Sequence, residues 1–319
     1  MSEPDIVVLR QKIHGMSATE YADILRDRLP DYTVFEAETP KEEQEYINQA
    51  PIVTGFSIDP ENITPDTNLK WFACVFAGTG HLDREALTEK GVTITNASGV
   101  HGPNIAEQVI GYMLMFARRL HKGFYQQEDQ EWRSYPTTEL KGSTATIIGL
   151  GAIGTAVVDR LHAFDIETIG VRYTPSKGGP TDTVLGFDDD LHDAFANSEY
   201  VILASPLTET TRGMIDSEVF RTLPSDAVVI NVGRGPLIQT DDLVSAIQRN
   251  SIKGAALDVT DPEPLPQDHQ LWNFKNVIIT PHNAGHTPHY WDRMADILEE
   301  NISKIETTGT YDELRNQVN

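Results

Sequence analysis

The chain holds a single cysteine, Cys74, in 319 residues. One thiol excludes an intrachain disulfide and any site built from clustered cysteines, and its place in the apolar run WFACVF reads as a buried structural thiol. Positive charge is also scarce: Lys and Arg number 25 against 48 Asp and Glu, a formal charge of −23. So negative a surface repels nucleic acid and anionic membranes, and neither is expected as a partner. No stretch approaches the roughly 18 consecutive apolar residues of a membrane span. The opening MSEPDIVVLRQ lacks the basic n-region of a signal peptide and runs directly into strand-like IVVLR, so a cytoplasmic location is expected. Internal repeats, low-complexity tracts and long linkers are missing too.

The acidic residues are dispersed over segments such as EAETPKEEQEY and FDDDLHDAF rather than gathered into one tail. A dispersed excess with few lysines reads as a surface adapted to high salt, where a Debye length of about 3 Å screens self-repulsion. With 39% hydrophobic and 23% charged residues a packed protein is expected, and the length suits two domains.

Strand-like and helix-like segments alternate almost throughout. IVVLR precedes a capped helical pattern at 17–29. TVFEA, PKEEQEYINQ and PIVTG repeat the rhythm, and LKWFACVF, DREALTEKG and VTITNA follow. A long apolar helix is expected at about 104–120. A second series then brings the strands TATIIGL, ETIGVRY, YVILAS, AVVINVG, GAALDV and NVIITP, and a helical pattern ends the chain at about 288–307. The alternation predicts an α/β fold with parallel sheets, and the continuously apolar strands predict helices on both faces.

Residues 146–154, TIIGLGAIG, form G-x-G-x-x-G between a strand and a helix. Gly149 permits the tight turn, Gly151 lets the backbone approach a pyrophosphate, and Gly154 lets the helix pack on the sheet so that its N-terminus, with Ala152 and Ile153, faces the phosphates. An NAD site would place an acid at the end of the next strand to grip the ribose 2′-hydroxyl. Counting 23 positions on from Gly149 reaches Arg172 instead; Glu167 falls too early and Asp182 too late. A cation there suits a 2′-phosphate, with Thr174, Ser176 and Lys177 as further donors. NADPH is therefore the expected cofactor, with NADH the weaker alternative.

Taken together, AGTGHLD (77–83), ELKGSTATIIGLGAIG (139–154), SPLTETTRGMI (205–215), NVGRG (231–235), DVTDPEP (258–264) and TPHNAG (280–285) resemble the D-isomer-specific 2-hydroxyacid dehydrogenase family over nearly the whole length. The resemblance implies a Rossmann domain, a doubly wound parallel sheet at 100–286, inserted into a flavodoxin-like substrate domain formed by 1–99 and 287–319. It also implies a homodimer. The family's catalytic set falls on Arg234, Glu263 and His282, each just after a strand, where ligands of doubly wound sheets bind. The chemistry needs these types: a guanidinium fork to hold a keto acid's carboxylate and carbonyl, an imidazole to give a proton near neutral pH, and a carboxylate to orient that ring. By the same resemblance the backbone of Ala77 and Gly78 binds the substrate carboxylate, and Thr79 lies near the cofactor. Ser205, Pro206 and Thr211 pass beside the adenosine and its phosphates; Val232, Gly233, Ala284 and Gly285 lie near the nicotinamide. Asp258 holds the nicotinamide amide or ribose, or is a strand-end turn residue. Asn104 contacts the nicotinamide end or simply caps the long helix.

No metal is expected, because no carboxylate or cysteine joins His282, His286 and His289 at ligand spacing. His101 and His121 read as surface or hinge residues, and Phe56 and Trp291 as core packing rather than pocket walls. The leading function is reduction of a small-molecule 2-keto acid to a D-2-hydroxy acid, with glyoxylate/hydroxypyruvate reduction as the alternative. Phosphoglycerate oxidation is disfavoured: the first domain lacks a basic cluster for a phosphate, and no regulatory domain follows residue 319. Formate oxidation is disfavoured because the partner of His282 is a glutamate, not a glutamine. A nucleotide-sensing corepressor role is the alternative of a different class.

Overall fold

Runs of mostly apolar residues form strands, buried along their whole length in the middle of each sheet's core and only partly buried at the sheet edges, and two parallel sheets result. The computed structural model describes residues 3–13 and 15–319. The chain forms two compact units, one comprising Met1–Val100 with Thr287–Asn319 and the other His101–His286.

The first unit holds five parallel strands, β1 (Ile6–Val8), β2 (Val34–Glu36), β3 (Ile52–Gly55), β4 (Trp71–Cys74) and β5 (Thr93–Thr95), in the order β2-β1-β3-β4-β5. This is the flavodoxin-like order. Three helices connect the strands: α1 (Ala18–Arg28), α2 (Pro40–Tyr46) and α3 (Arg84–Glu89). Their starts are written in the sequence. Ser17 accepts the Glu20 N–H at the head of α1, and Thr39 with Glu42 forms a reciprocal capping box before α2. The last helix, Tyr290–Thr308, belongs to this unit and places Tyr290, Trp291, Met294 and Leu298 in one core with Tyr21, Leu25 and Trp71. Trp291 is core, stacked on Tyr21 at 4.5 Å. Phe56 is half-buried and stacks on His81 at 4.1 Å. Cys74 is fully buried, and burial pushes its thiol up to about 11.

The second unit opens with α4 (Gly102–Ala117) and α5 (Leu120–Glu128). The sequence suggests one helix over 104–120, and the structure differs at both ends. Pro103 suits a first helical turn, where its missing N–H costs nothing, so the helix begins at Gly102. Arg119 adopts a left-handed φ of 50°, which ends α4 and starts α5. His121, expected as a surface or hinge residue, is half-buried against Phe116, its Nδ1 3.1 Å from the Met115 carbonyl, and burial disfavours its charged form.

Seven parallel strands follow: β6 (Thr144–Ile148), β7 (Glu167–Val171), β8 (Thr183–Leu185), β9 (Tyr200–Leu203), β10 (Val228–Asn231), β11 (Gly254–Leu257) and β12 (Val277–Ile279). Their order is β12-β11-β10-β9-β6-β7-β8. The strand order reverses between β6 and β9, the Rossmann arrangement, in which that crevice is the ligand position. The short edge strand β8 has no counterpart in the sequence reading; three residues give too little alternation to register. Connecting helices include α6 (Ala152–Leu161), α7 (His192–Ala196), α8 (Ser217–Thr222) and α9 (Thr240–Gln248). Helix α4 buries Ile105, Val109, Tyr112, Met113 and Phe116 at helical spacing against the sheet and α6.

Among the described residues no helix is long and apolar enough to cross a membrane.

Candidate active site

The glycine loop lies at the sheet's switch point. Gly149 has φ +102°, and a Cβ on it would come within 2.8 Å of the Ser205 backbone, which follows β9. A Cβ on Gly154 would sit 1.9 Å from the Gly149 carbonyl oxygen. Both positions therefore require the absence of a side chain. Gly151 differs: a Cβ there would meet nothing within 4 Å, so the backbone at the head of α6 faces open space. Beside it the Ser205 hydroxyl is buried and has no hydrogen-bond partner. A bare helix N-terminus, an open cradle and an orphaned buried hydroxyl together fit the phosphates of a dinucleotide.

A cavity of about 370 Å³ adjoins this loop, lined by Gly149, Gly151, Arg172, Thr174, Lys177, Ser205, Pro206 and Thr211, with Tyr173, Phe187, Thr208 and Thr210 as well. No carboxylate lines it, and two cations do. Arg172 follows β7 directly and donates from Nη1 to the Gly178 carbonyl at 2.5 Å. Asp182 accepts from both the N–H and the hydroxyl of Thr168, each at 2.8 Å, which fixes it beside the start of β7, away from the strand's carboxyl end. Thr208 and Thr210 carry no signal in SPLTETTRGMI, because loop threonines have no spacing to read.

Three loops follow β10, β11 and β12. After β10, Asn231 clamps its own turn: its Oδ1 accepts from Gly233 N at 3.1 Å and its Nδ2 donates to the Arg234 carbonyl at 2.9 Å. Arg234 is exposed and is flanked by two glycines that permit close approach. A Cβ on Gly233 would lie 2.8 Å from the Ser205 carbonyl oxygen, and one on Gly235 1.9 Å from that of Thr260. The turn of Arg234 is thus pressed against the Asp258–Pro264 loop after β11. Gly235 and Asn231 are positions that motif reading passed over; the NVGRG spacing contains both.

Glu263 and His282 meet across the β11 and β12 loops. Glu263 Oε1 lies 2.6 Å from His282 Nδ1, and both side chains are about half exposed. A contact at Nδ1 leaves Nε2 as the nitrogen able to pass a proton outward. A cavity of about 340 Å³ beside the pair is lined by Asp258, Thr260, Leu265, Trp272 and Ile279 among others. His282 itself has φ +53°, the left-handed region.

The His282 turn is stitched from several sides. The Asp258 carbonyl accepts from His282 N at 2.8 Å. The Asp258 carboxylate, 3% exposed, accepts from the Thr280 hydroxyl at 2.5 Å, Asn283 N at 2.8 Å and Ala284 N at 3.0 Å. Asn104 donates to the Ala284 carbonyl at 2.6 Å, and His101 Nδ1 lies 2.9 Å from that of Gly285. Asn104 is therefore not the cap of α4; His101 occupies that position, and the Asn104 amide faces the 284–286 segment instead. Val232 and Ala284 are buried in the sheet's core.

Ala77, Gly78 and Thr79 belong to the first unit, in the loop after β4. Phe76, which precedes them, packs edge-on to Phe56 at 5.7 Å. Among the described residues no group of three or more His, Cys, Asp or Glu side chains is arranged to hold a metal ion.

Comparison with known proteins shows the family. Residues 110–284 match the family model described as "D-isomer specific 2-hydroxyacid dehydrogenase, NAD binding domain". The chain is 35% identical over 256 residues to a glyoxylate reductase of Thermofilum pendens, covering 78% of this chain and 75% of that protein. A crystal structure of a D-isomer specific 2-hydroxyacid dehydrogenase family protein from Aeromonas salmonicida superposes with a TM-score of 0.76 at 27% identity, covering 100% of this chain and 99% of that one. One from Xanthobacter autotrophicus, in complex with NADPH, gives 0.75 at 25% identity, covering 100% and 98%. The chain belongs to the D-isomer-specific 2-hydroxyacid dehydrogenases, oxidoreductases dependent on NAD(P).

Proposed function

We propose that this protein reduces 2-keto acids to D-2-hydroxy acids with NADPH. The observation that carries the reading is the 2.6 Å contact of Glu263 with His282, beside a loop that presents an exposed Arg234. Arg234 holds the substrate's carboxylate and carbonyl through its planar fork of donors. When bound, the nicotinamide supplies the hydride. His282 delivers a proton from Nε2 to the alkoxide oxygen at C2, and Glu263, paired at Nδ1, orients the ring. In the oxidative direction neutral His282 takes that proton back.

Gly149, Gly151, Ala152, Ile153 and Gly154 hold the pyrophosphate, with Ser205, Pro206 and Thr211 beside the adenosine. Arg172, with Thr174 and Lys177, holds a 2′-phosphate, a reading supported by a cavity lined by cations and no carboxylate. Thr79, Asn104, Val232, Gly233, Ala284 and Gly285 serve the nicotinamide end. Asp258 has about one of its four acceptor positions left for the amide. The first unit serves as the substrate domain, with the backbone of Ala77 and Gly78 offered to a carboxylate. We place the protein in the cytoplasm as a homodimer; exposed apolar side chains such as Leu120, Phe124 and Trp132 are available to an interface. The excess of 48 acidic over 25 basic residues supports a salt-adapted surface. Glyoxylate or hydroxypyruvate as the natural substrate is the second reading, favoured by the name of the Thermofilum relative.

The test follows nicotinamide absorbance in high KCl, offering NADPH or NADH with pyruvate, glyoxylate, hydroxypyruvate, 2-ketoisocaproate and phenylpyruvate. Faster turnover with NADPH is expected. Arg172→Ala should raise the KM for NADPH about tenfold and leave that for NADH within about twofold. An NADH preference would overturn the role of Arg172. Tight cofactor binding without turnover of any keto acid would overturn the reductase in favour of a nucleotide sensor.

A further inference from the structure

The turn that carries His282 is strained, and its supports can be traced one bond further than the active site. A non-glycine residue at φ +53° persists only where its surroundings over-determine it. Here the surroundings are the Asp258 carbonyl and carboxylate, which together take the N–H groups of His282, Asn283 and Ala284. The two bonds from Asn283 and Ala284 depend on the carboxylate keeping its place.

Its place is set from α4. Thr280 Oγ1 lies 2.5 Å from Asp258 Oδ1 and 2.5 Å from the Tyr112 hydroxyl. The direction of these bonds follows from the inventory of protons. An ionised carboxylate only accepts, so the single Thr280 proton goes to Asp258, and Tyr112 must then donate its own proton to Thr280 Oγ1. The result is a polarised chain, Tyr112 to Thr280 to the Asp258 carboxylate, which also accepts two amides of the catalytic turn, those of Asn283 and Ala284. Tyr112 is 2% exposed in the core with Val109, Phe116 and Ile230, and burial raises its hydroxyl above the usual phenol range, so it stays a donor. A phenylalanine would fill the same space. It would remove the proton that the hydroxyl gives to Thr280; the Gln108 side chain is the hydroxyl's other hydrogen-bond partner.

We infer that Tyr112 and Thr280 are positioning residues for the reaction, acting through Asp258 to fix the backbone turn that presents His282. The inference rests on the reading of His282 as the proton donor. It also assigns a second task to α4, whose buried face is otherwise explained by packing alone.

The test compares the full-length Tyr112→Phe, Thr280→Val and Thr280→Ser proteins. Amide exchange over 280–286, measured by mass spectrometry without cofactor, should speed up about tenfold in Tyr112→Phe and Thr280→Val, and stay near that of the parent in Thr280→Ser, which keeps the relay hydroxyl. With NADPH and glyoxylate or phenylpyruvate as probes, kcat should fall about tenfold in the first two while the KM for NADPH stays within about twofold, and Thr280→Ser should recover most of the loss. Unchanged exchange over 280–286 in both Tyr112→Phe and Thr280→Val would overturn the relay. So would a lowered Tm with kcat intact, which would mean packing only. His282→Gln separates the two readings: if it turns over normally, the role of His282 fails, while the exchange result still decides the relay.

Discussion

The loops that leave β6 and β12 belong to one sheet and are held in opposite ways. The glycine loop is held by what it lacks. At Gly149 and Gly154 a Cβ would strike backbone at 2.8 and 1.9 Å, so the shape follows from three glycines within six residues. The His282 turn is held by what surrounds it: Asp258, Thr280, Tyr112 and Asn104 reach it from β11, β12 and α4. The first is local and tolerates nothing larger than hydrogen at two positions. The second is assembled from distant segments and gives way one bond at a time.

Gly154→Ala is expected to break the first loop outright. A carbon 1.9 Å from a carbonyl oxygen forces α6 off the sheet, at a cost of about 3 kcal/mol or more, read as a fall in Tm and loss of cofactor binding. Gly151→Ala sharpens the point: its Cβ enters open space, so Tm should hold while NADPH binding weakens, measured by fluorescence titration. A parent-like Tm in Gly154→Ala would show that the loop can relax and that the contrast is overstated.

In the second loop Glu263→Gln should lower kcat about 10- to 100-fold with Tm nearly unchanged, because the pair is half exposed and its value is in orienting the ring. A parent-like kcat would remove Glu263 from the proton transfer. The relay variants come next, with their expected tenfold losses.

The smallest effect lies at the sheet's edge. The N–H and hydroxyl of Thr168 hold the Asp182 carboxyl below the usual carboxylate range. A lowered carboxyl contributes stability above the unfolded value, near pH 4, and loses it as pH falls through the folded value. Asp182→Asn should therefore lower Tm by only about 1–2 °C at pH 7, since the group is exposed and screened, and the difference should shrink as pH falls below about 4. A loss that does not shrink with pH would assign the effect to geometry rather than charge.

Much of the fold was legible because its signals are short-range. The buried strands are continuous apolar runs, Ser17 and Thr39 announce their helices, and the glycine spacing names its own loop. The misses share a cause. The split between α4 and α5 rests on one left-handed residue, Arg119, and β8 on three residues, neither of which has a pattern to read. Asn104 looks like a cap in the sequence because the true first turn begins two residues earlier, at Gly102.

By itself the sequence determined the alternation, the phosphate loop, the absence of an acid 23 residues beyond Gly149 and the family motifs, all set by neighbours along the chain. Only the tertiary structure decided which of those residues touch. Glu263 and His282 stand 19 positions apart and meet because β11 and β12 pair in parallel; Tyr112 and Thr280 stand 168 apart and meet because α4 lies on that sheet. Hydrogen bonds are made across space at a few ångströms, and spacing along the chain predicts such a distance only within a single turn or loop.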